Sequence, residues 1–169
     1  MKPITNLYIK TFLFTGIPFG LATIIADNMS GEEISIWKFL VMTFSFGALM
    51  SITMVAMHKQ RLKSRGLTNN TEIYQDKTIK STISLVEFKE KLMSVPYFKK
   101  MKLLEMEDGF IIKTKMTWES WGEVIHIKLI SKNEVMNEYQ ISSRPKVKIT
   151  QIDYGKNLEN INIIENAIA

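Results

Sequence analysis

Apolar residues are spread along this chain in two regimes. Residues 11–26 make sixteen positions without a charge, and 39–57 make nineteen. A helix needs roughly 20 residues, at about 1.5 Å each, to cross about 30 Å of hydrocarbon. The second run is long enough almost as it stands. The first gains its missing turn through Leu7, Tyr8 and Ile9, with Lys10 snorkelling its ammonium toward headgroups. The pattern predicts apolar helices over about 7–26 and 36–57, with Trp37 and Lys38 at a lipid–water boundary. From about residue 76 onward, apolar positions alternate or return every three to four residues, as in a polar-surfaced fold.

That second regime reads as a string of short elements. Residues 76–83 alternate, with Ile79, Ser81 and Ile83 on one face of a strand. Ser84-Leu85-Val86-Glu87 has the form of a capping box, with Ile83 and Phe88 placed for a hydrophobic staple, and the helix stops before Pro96. Residues 100–107 and 110–118 predict two strands joined by a type I′ turn at Asp108-Gly109. On the second of these, Phe110, Ile112, Thr114, Met116 and Trp118 share a face. A third strand over 123–130 turns Ile125, Ile127 and Leu129 inward and His126 and Lys128 outward. After a turn near Asn133, a fourth strand spans about 137–143. Arg144-Pro145 breaks it, and Val147-Lys148-Ile149 is placed as a short extra strand. A last helix begins near Asn157, with Leu158, Ile161, Ile164 or Ile163, and Ile168 as its apolar stripe. The order predicts an antiparallel sheet with both helices on one face.

Charge adds topology. The first 66 residues hold seven Lys/Arg against three acids, while the remainder holds fifteen against fourteen, so most of the net +5 sits beside the apolar runs. Asp27, Glu32 and Glu33 make the connection between the runs acidic. Lys2 and Lys10 precede it, and Lys59, Arg61, Lys63 and Arg65 follow it as a basic membrane anchor. That asymmetry predicts a two-pass protein of the inner (cytoplasmic) membrane with both termini in the cytoplasm. A cleaved signal peptide is the competing reading of the first run, but Ile24-Ile25-Ala26 puts a bulky residue where cleavage wants a small one. Because the basicity flanks the apolar runs, it implies no nucleic-acid partner. Gly16 and Gly20 on the first run, and Thr43, Gly47 and Ser51 on the second, are small residues at fourfold spacing, a surface on which helices pack closely in lipid. They pack within one chain on the favoured reading and between two copies on the other.

The fold class is therefore α+β. A transmembrane hairpin with its basic segment occupies 1–66, a linker 67–76, and a cytosolic domain 77–169. The chemistry available to that domain is restricted. No cysteine is present, which removes disulfides, thiolate metal sites and a thiol nucleophile. With His58 and His126 as the sole histidines, no metal site, cofactor site or catalytic group is assigned. Glu119 and Glu123 carry little weight as an acid–base pair. Trp118 and Trp121 stand out. Packing against the core is the favoured reading, since Trp118 continues the inward face, and lining a ligand pocket or entering the headgroup region is the alternative. A solvated face is the favoured reading of Lys99, Lys100, Lys102, Lys113 and Lys115, and a basic patch facing acidic lipid is the alternative.

Two resemblances attach to these motifs. Ser143-Arg144 followed by Asp153-Tyr154-Gly155-Lys156-Asn157 resembles a bacterial domain of unknown function that ends in a Ser-Arg…Asp-x-Gly-x-Asn turn and a helix. The two-helix start, Trp118-Glu119-Ser120-Trp121-Gly122-Glu123 and residues 153–157 together look like small uncharacterised bacterial membrane proteins. Neither implies an activity or a cofactor. The sequence reading is a membrane-anchored, non-enzymatic binding or scaffolding protein, with a lipid or small-ligand site at the membrane surface as the alternative. Its expected partners are the bilayer, a protein or apolar ligand not specified by the sequence, and a second copy if the small-residue faces pair between chains.

Overall fold

In a computed structural model, which describes residues 3–67, 72–133 and 135–168, two long helices precede a five-stranded sheet with two shorter helices. The long helices are α1 (Pro3–Met29) and α2 (Ile36–Ser64). They are followed by β1 (Gln75–Ser81), α3 (Leu85–Ser94), β2 (Lys102–Met106), β3 (Gly109–Lys113), β4 (Glu123–Lys132), β5 (Asn137–Pro145) and α4 (Lys156–Ile168). Of the linker expected over 67–76, residues 68–71 lie outside those described.

Helices α1 and α2 are long and apolar enough to cross a membrane, with best-window mean hydropathies of 1.6 and 1.9. Only 17% of each window is covered by the rest of the protein. Core helices of a water-soluble fold are mostly buried, so this low coverage leaves two apolar rods facing outward. Small residues hold the rods together. A Cβ added at Gly16 would lie 2.5 Å from the Thr43 carbonyl oxygen and 3.1 Å from Gly47 Cα, and one at Gly47 would meet Phe12. Thus Gly16, Gly20, Thr43, Gly47 and the buried Ser51 belong to one interface within the chain. Phe19 and Phe46 stack midway along it, 4.0 Å between ring centroids. At the connection itself, Lys38 pairs with Asp27 at 2.7 Å and with Glu32 at 3.3 Å.

The sheet has strand order β1-β5-β4-β3-β2, and every neighbouring pair is antiparallel. Alternation along the strands turns Phe110, Ile112, Ile125, Ile127, Tyr139 and Ile141 to one face. There they meet Phe88 and Leu92 of α3, Phe98, and Ile161 and Ile164 of α4. Both short helices therefore lie on one face, and the other carries polar residues such as His126, Lys128 and Gln140. Helix α3 starts with the capping box expected of it. Ser84 Oγ accepts from Glu87 N–H at 3.3 Å, and Ser84 N–H donates back to the Glu87 carboxylate at 2.8 Å.

Three local expectations are corrected. The β2–β3 turn is Glu107-Asp108, one residue earlier than Asp108-Gly109, because Met106 pairs with Gly109. Gly109 is the first residue of its strand, and it is small for a different reason: a Cβ there would lie 2.0 Å from the Ile127 carbonyl oxygen of β4. Strand β3 stops at Lys113, so the face that begins with Phe110 and Ile112 ends at the buried Thr114 and does not reach Met116 or Trp118. Residues 147–149 form bends and turns rather than a strand.

Replacing Gly16 by leucine should force α1 and α2 apart. We expect Gly16→Leu to lower the thermal unfolding midpoint of the detergent-solubilised protein by about 3–10 °C, from about 1–3 kcal/mol of overpacking. Ser45→Leu, on the exposed side of α2, should leave the midpoint within about 2 °C of the parent.

Candidate functional site

The register places the first residues of β2 and β4 and the last residues of β3 and β5 at one end of the sheet, beside the start of β1 (Lys102 opposite Lys113, Glu123 opposite Pro145, Gln75 opposite Ser143). Two loops leave from this end and meet the hairpin. The first, residues 114–122, is tied at its neck by a buried carboxylate. Glu123 N–H donates to Thr114 Oγ1 at 2.6 Å, while the hydroxyls of Thr114 and Ser120 both donate to the Glu123 carboxylate. Thr114 N–H returns to the Glu123 carbonyl at 3.0 Å, and Thr117 N–H to the Ser120 carbonyl at 2.8 Å. With its base closed in this way, the loop turns its apolar tip outward. Trp118 is 105% exposed, Met116 66% and Trp121 63%. The favoured sequence reading, that Trp118 packs on the core, is thereby overturned.

The second loop, residues 146–155, leaves β5 after Pro145. Lys146 N–H donates to the Gly122 carbonyl at 2.9 Å, and its ammonium donates to the Thr114 carbonyl, so the two loops are joined. Ile149 is exposed, whereas Ile152 is buried against Leu7 of α1 and Val55 of α2. The loop ends in the Asp-Tyr-Gly-Lys-Asn run. Asp153 accepts from Gly155 N–H and Asn157 N–H, each at 3.0 Å, which turns the chain into α4. Gly155 adopts φ +79°, and a Cβ on it would lie 2.6 Å from Leu62 Cδ2 of α2. The positive φ strains any residue but glycine there, and a side chain would also push Leu62 aside. His58, buried on α2, lies 6.3 Å ring to ring from Tyr154.

Behind this turn, the two halves of the Ser-Arg…Asp-x-Gly-x-Asn pattern meet in one network. Ser143 Oγ donates to Asn157 Oδ1 at 2.7 Å and accepts from Asn160 Nδ2 at 3.1 Å. Asn157 Nδ2 donates to Asp153 at 2.9 Å, and Tyr97 donates to Asn160 at 2.9 Å. Ser143, Asn157 and Asn160 are fully buried, so these bonds replace lost hydration rather than expose a reactive hydroxyl. Burial, with the nearby charges of Glu123 and Glu159, pushes the Tyr97 phenol well above its ordinary range. The inward face of α4 therefore opens with Asn157 and Asn160 rather than with Leu158, and of the two alternatives Ile164 is the buried one.

An ion-pair network holds the first loop against α2. Arg61 Nε lies 2.9 Å from Glu119 Oε1, and the Arg65 guanidinium donates to Glu119 Oε2 and to the Tyr154 carbonyl. Arg65 Nε also lies 3.4 Å from Glu159, which Lys156 reaches at 2.8 Å. Burial raises the Glu119 carboxyl, but the Arg65 hydrogen bond and the charges of Arg65, Arg61 and Lys156 outweigh it and hold it below the ordinary glutamate value. Of the four residues expected to anchor the protein to lipid, then, Arg61 and Arg65 face the folded domain. Lys59 sits over the Tyr8 ring at 5.5 Å, and Lys63 is exposed.

Between the loops and the hairpin lies a cleft of about 870 Å³. Its walls include Phe14 of α1, Met50 of α2, Trp118 and Trp121 of the first loop, and Ile149 and Ile152 of the second. Lys99, Lys100, Lys102, Lys113 and Lys115 are all exposed, and Lys102 and Lys113 stand opposite each other at the loop end of the sheet. Among the described residues, no cluster of three His, Asp or Glu side chains is placed to hold a metal. His126 projects from the polar face, its pKa lowered by partial burial and by the Arg144 charge. Sequence reasoning missed Glu119 as the centre of the ion-pair network, and it read residues 147–149 of the second loop as a short strand where the chain makes bends and turns. Ile152, buried against the hairpin and placed in no element by the sequence, was the available signal. Compared with models of protein families, with curated proteins and with solved structures, the chain matches none, so the site is read from its own chemistry.

A carboxyl held low by its folded partners stabilises above its unfolded pKa, and that contribution is lost as pH falls through the folded value. Glu119→Gln should therefore lower the unfolding midpoint at neutral pH, by about 0.5–1 kcal/mol equivalent. The difference from the parent should persist down to pH 4.5, the ordinary glutamate value, and shrink below it in a thermal-unfolding pH series.

Proposed function

We propose that the protein is a two-pass inner-membrane protein, both termini cytoplasmic, that holds a non-enzymatic α+β binding domain against the cytoplasmic face of the bilayer. The observation that carries this reading is the placement of Met116, Trp118, Trp121 and Ile149. These are exposed apolar side chains on two loops, at the end of the domain that meets the apolar hairpin. Exposed tryptophans in water are unfavourable, whereas at a lipid boundary their rings are favoured. The basic flanks and acidic connection of the hairpin support the orientation, and the basic residues at the loop end of the sheet support a surface that faces acidic headgroups.

Binding at this surface takes one of two forms, scaffolding of a protein partner or capture of an apolar ligand. The cleft favours the second. Its volume falls within the range of about 300–1,000 Å³ typical of small-ligand sites, and its walls are mostly apolar with a few polar groups. The small-residue faces pack within the chain, so a second copy would need another surface.

Topology is the direct test. Alkaline phosphatase, active only outside the inner membrane, should be silent when fused after Arg65 and active when fused at Gly31. The opposite pattern would sink the reading. Equal activity at both sites would as well.

A further inference from the structure

We propose that the cleft holds one acyl chain of an acidic phospholipid, admitted sideways from the cytoplasmic leaflet, with its headgroup beside Lys115 and Lys148. This rests on the membrane reading above and names the ligand of that site. The argument begins with depth. Helix α2 has 29 residues, which at about 1.5 Å each span about 43 Å, against about 30 Å of hydrocarbon. Counted from Lys38, whose pairs with Asp27 and Glu32 mark the outer boundary, the inner boundary of α2 falls near His58. Met50 therefore stands about two turns inside the hydrocarbon, and Phe14, antiparallel to it on α1, stands at similar depth. Both line the cleft, whose other wall is built by the Trp118 and Ile149 loops. A cleft with one wall at hydrocarbon depth is continuous with the acyl region and opens sideways into it. A lipid chain enters such a cleft by sliding between α1, α2 and the loop tips, without leaving the acyl region.

The occupant's chemistry follows from the lining. Met50, Met54 and Met116 are unbranched and polarisable, able to conform to a flexible chain. The one carboxylate on the wall, Glu119, is neutralised by Arg61 and Arg65. Two lysines adjoin lining residues in the sequence and carry the positive charge the proposal assigns to the rim. Lys115 is exposed next to Met116, and Lys148 is exposed between Val147 and Ile149. A headgroup at that level meets ammonium groups, which selects an acidic phospholipid over a zwitterionic one. A second observation points the same way. Thr11, on the cleft wall, is 1% exposed, and its hydroxyl has no partner among the described residues. A buried hydroxyl without a partner is costly, and a polar atom carried into the cleft by its occupant would supply the acceptor it lacks.

The test uses the full chain reconstituted in vesicles of equal phosphatidylglycerol and phosphatidylcholine, then extracted in mild detergent for native mass spectrometry. The parent should retain one phosphatidylglycerol per chain, at least about fivefold over phosphatidylcholine, the factor that one lysine near the surface supplies. Met50→Trp, which fills the cleft, should cut retention about tenfold, while Ile52→Trp, on the exposed side of α2, should retain lipid as the parent does. Lys115→Gln with Lys148→Gln should keep a bound lipid but lose the headgroup preference. No retained lipid, retention equal in Met50→Trp, or preference unchanged without the two lysines would each overturn the proposal. A Trp37→Phe chain in vesicles with brominated acyl chains separates this from the parent reading. Quenching of Trp118 and Trp121 without a retained lipid ends the acyl-chain proposal alone. Absence of quenching ends the membrane reading and the proposal with it.

Discussion

The docking of the α+β domain on the last turns of α2 is the contact on which the remaining geometry depends. It combines two unlike interactions. On one side, Leu62 packs directly on Gly155, whose added Cβ would lie 2.6 Å from Leu62 Cδ2, and Val55 with Leu7 buries Ile152. On the other, Arg65 reaches Glu119, Glu159 and the Tyr154 carbonyl from a side chain only 16% exposed. Apolar contact alone would be non-directional and would leave the domain free to roll on the helix. The guanidinium supplies direction, because its planar fork holds acceptors at fixed angles. The loop carrying Glu119 is thereby fixed relative to α2, and Trp118 and Trp121 are aimed along with it.

A polar interior at this end of the domain follows from the same contact. The chain must leave β5, turn around Leu62 and start α4 within the ten residues 146–155, and that turn brings backbone donors into the protein. Asp153 answers Gly155 and Asn157, Asn157 answers Ser143, and Asn160 extends the chain of bonds to Tyr97. A fully satisfied network costs little and admits one arrangement, whereas an apolar filling would not specify the turn. Ser143 and Asn157 are thus structural partners of the docking turn, which accounts for their spacing in sequence.

How much of this was legible follows from how local each cause is. The capping box at Ser84, the alternation of Phe110, Ile112, Ile125 and Ile127, and the two apolar helices are dictated by neighbours within a few residues. They were read directly. Gly109 was misread because Asp-Gly suggests a turn, while its real constraint is the backbone of β4, eighteen residues away. Trp118 was extrapolated along a strand that the buried Thr114–Glu123 contact ends at Lys113. Arg61 and Arg65 read as lipid anchors because their acidic partners, Glu119 and Glu159, lie more than fifty residues on. Asn157 and Asn160 broke the helical apolar stripe for the same reason: the groups that make their burial tolerable come from β5 and from Tyr97.

The exposed loop tips make sense only with reference to what surrounds the hairpin. Burying apolar surface is worth about 25 cal/mol per Å², and a large aromatic side chain presents some 150–250 Å². Two tryptophans left in water therefore forgo several kcal/mol, comparable to a sizeable share of a small domain's net stability. The fold has already spent its ordering on holding them out. Glu123 closes the neck of the first loop, Lys146 ties it to the second, and the Arg65 network clamps it to α2. A loop so constrained does not collapse inward to hide its tip, so the compensating surface has to come from outside the chain. On the proposed membrane reading, the apolar flank of α1 and α2 beside those tips, set by Phe14 and Met50, points to lipid as the medium that supplies it. In the proposed topology, one contact at Leu62 and Arg65 then determines both how deep the helices sit and which edge of the domain touches lipid.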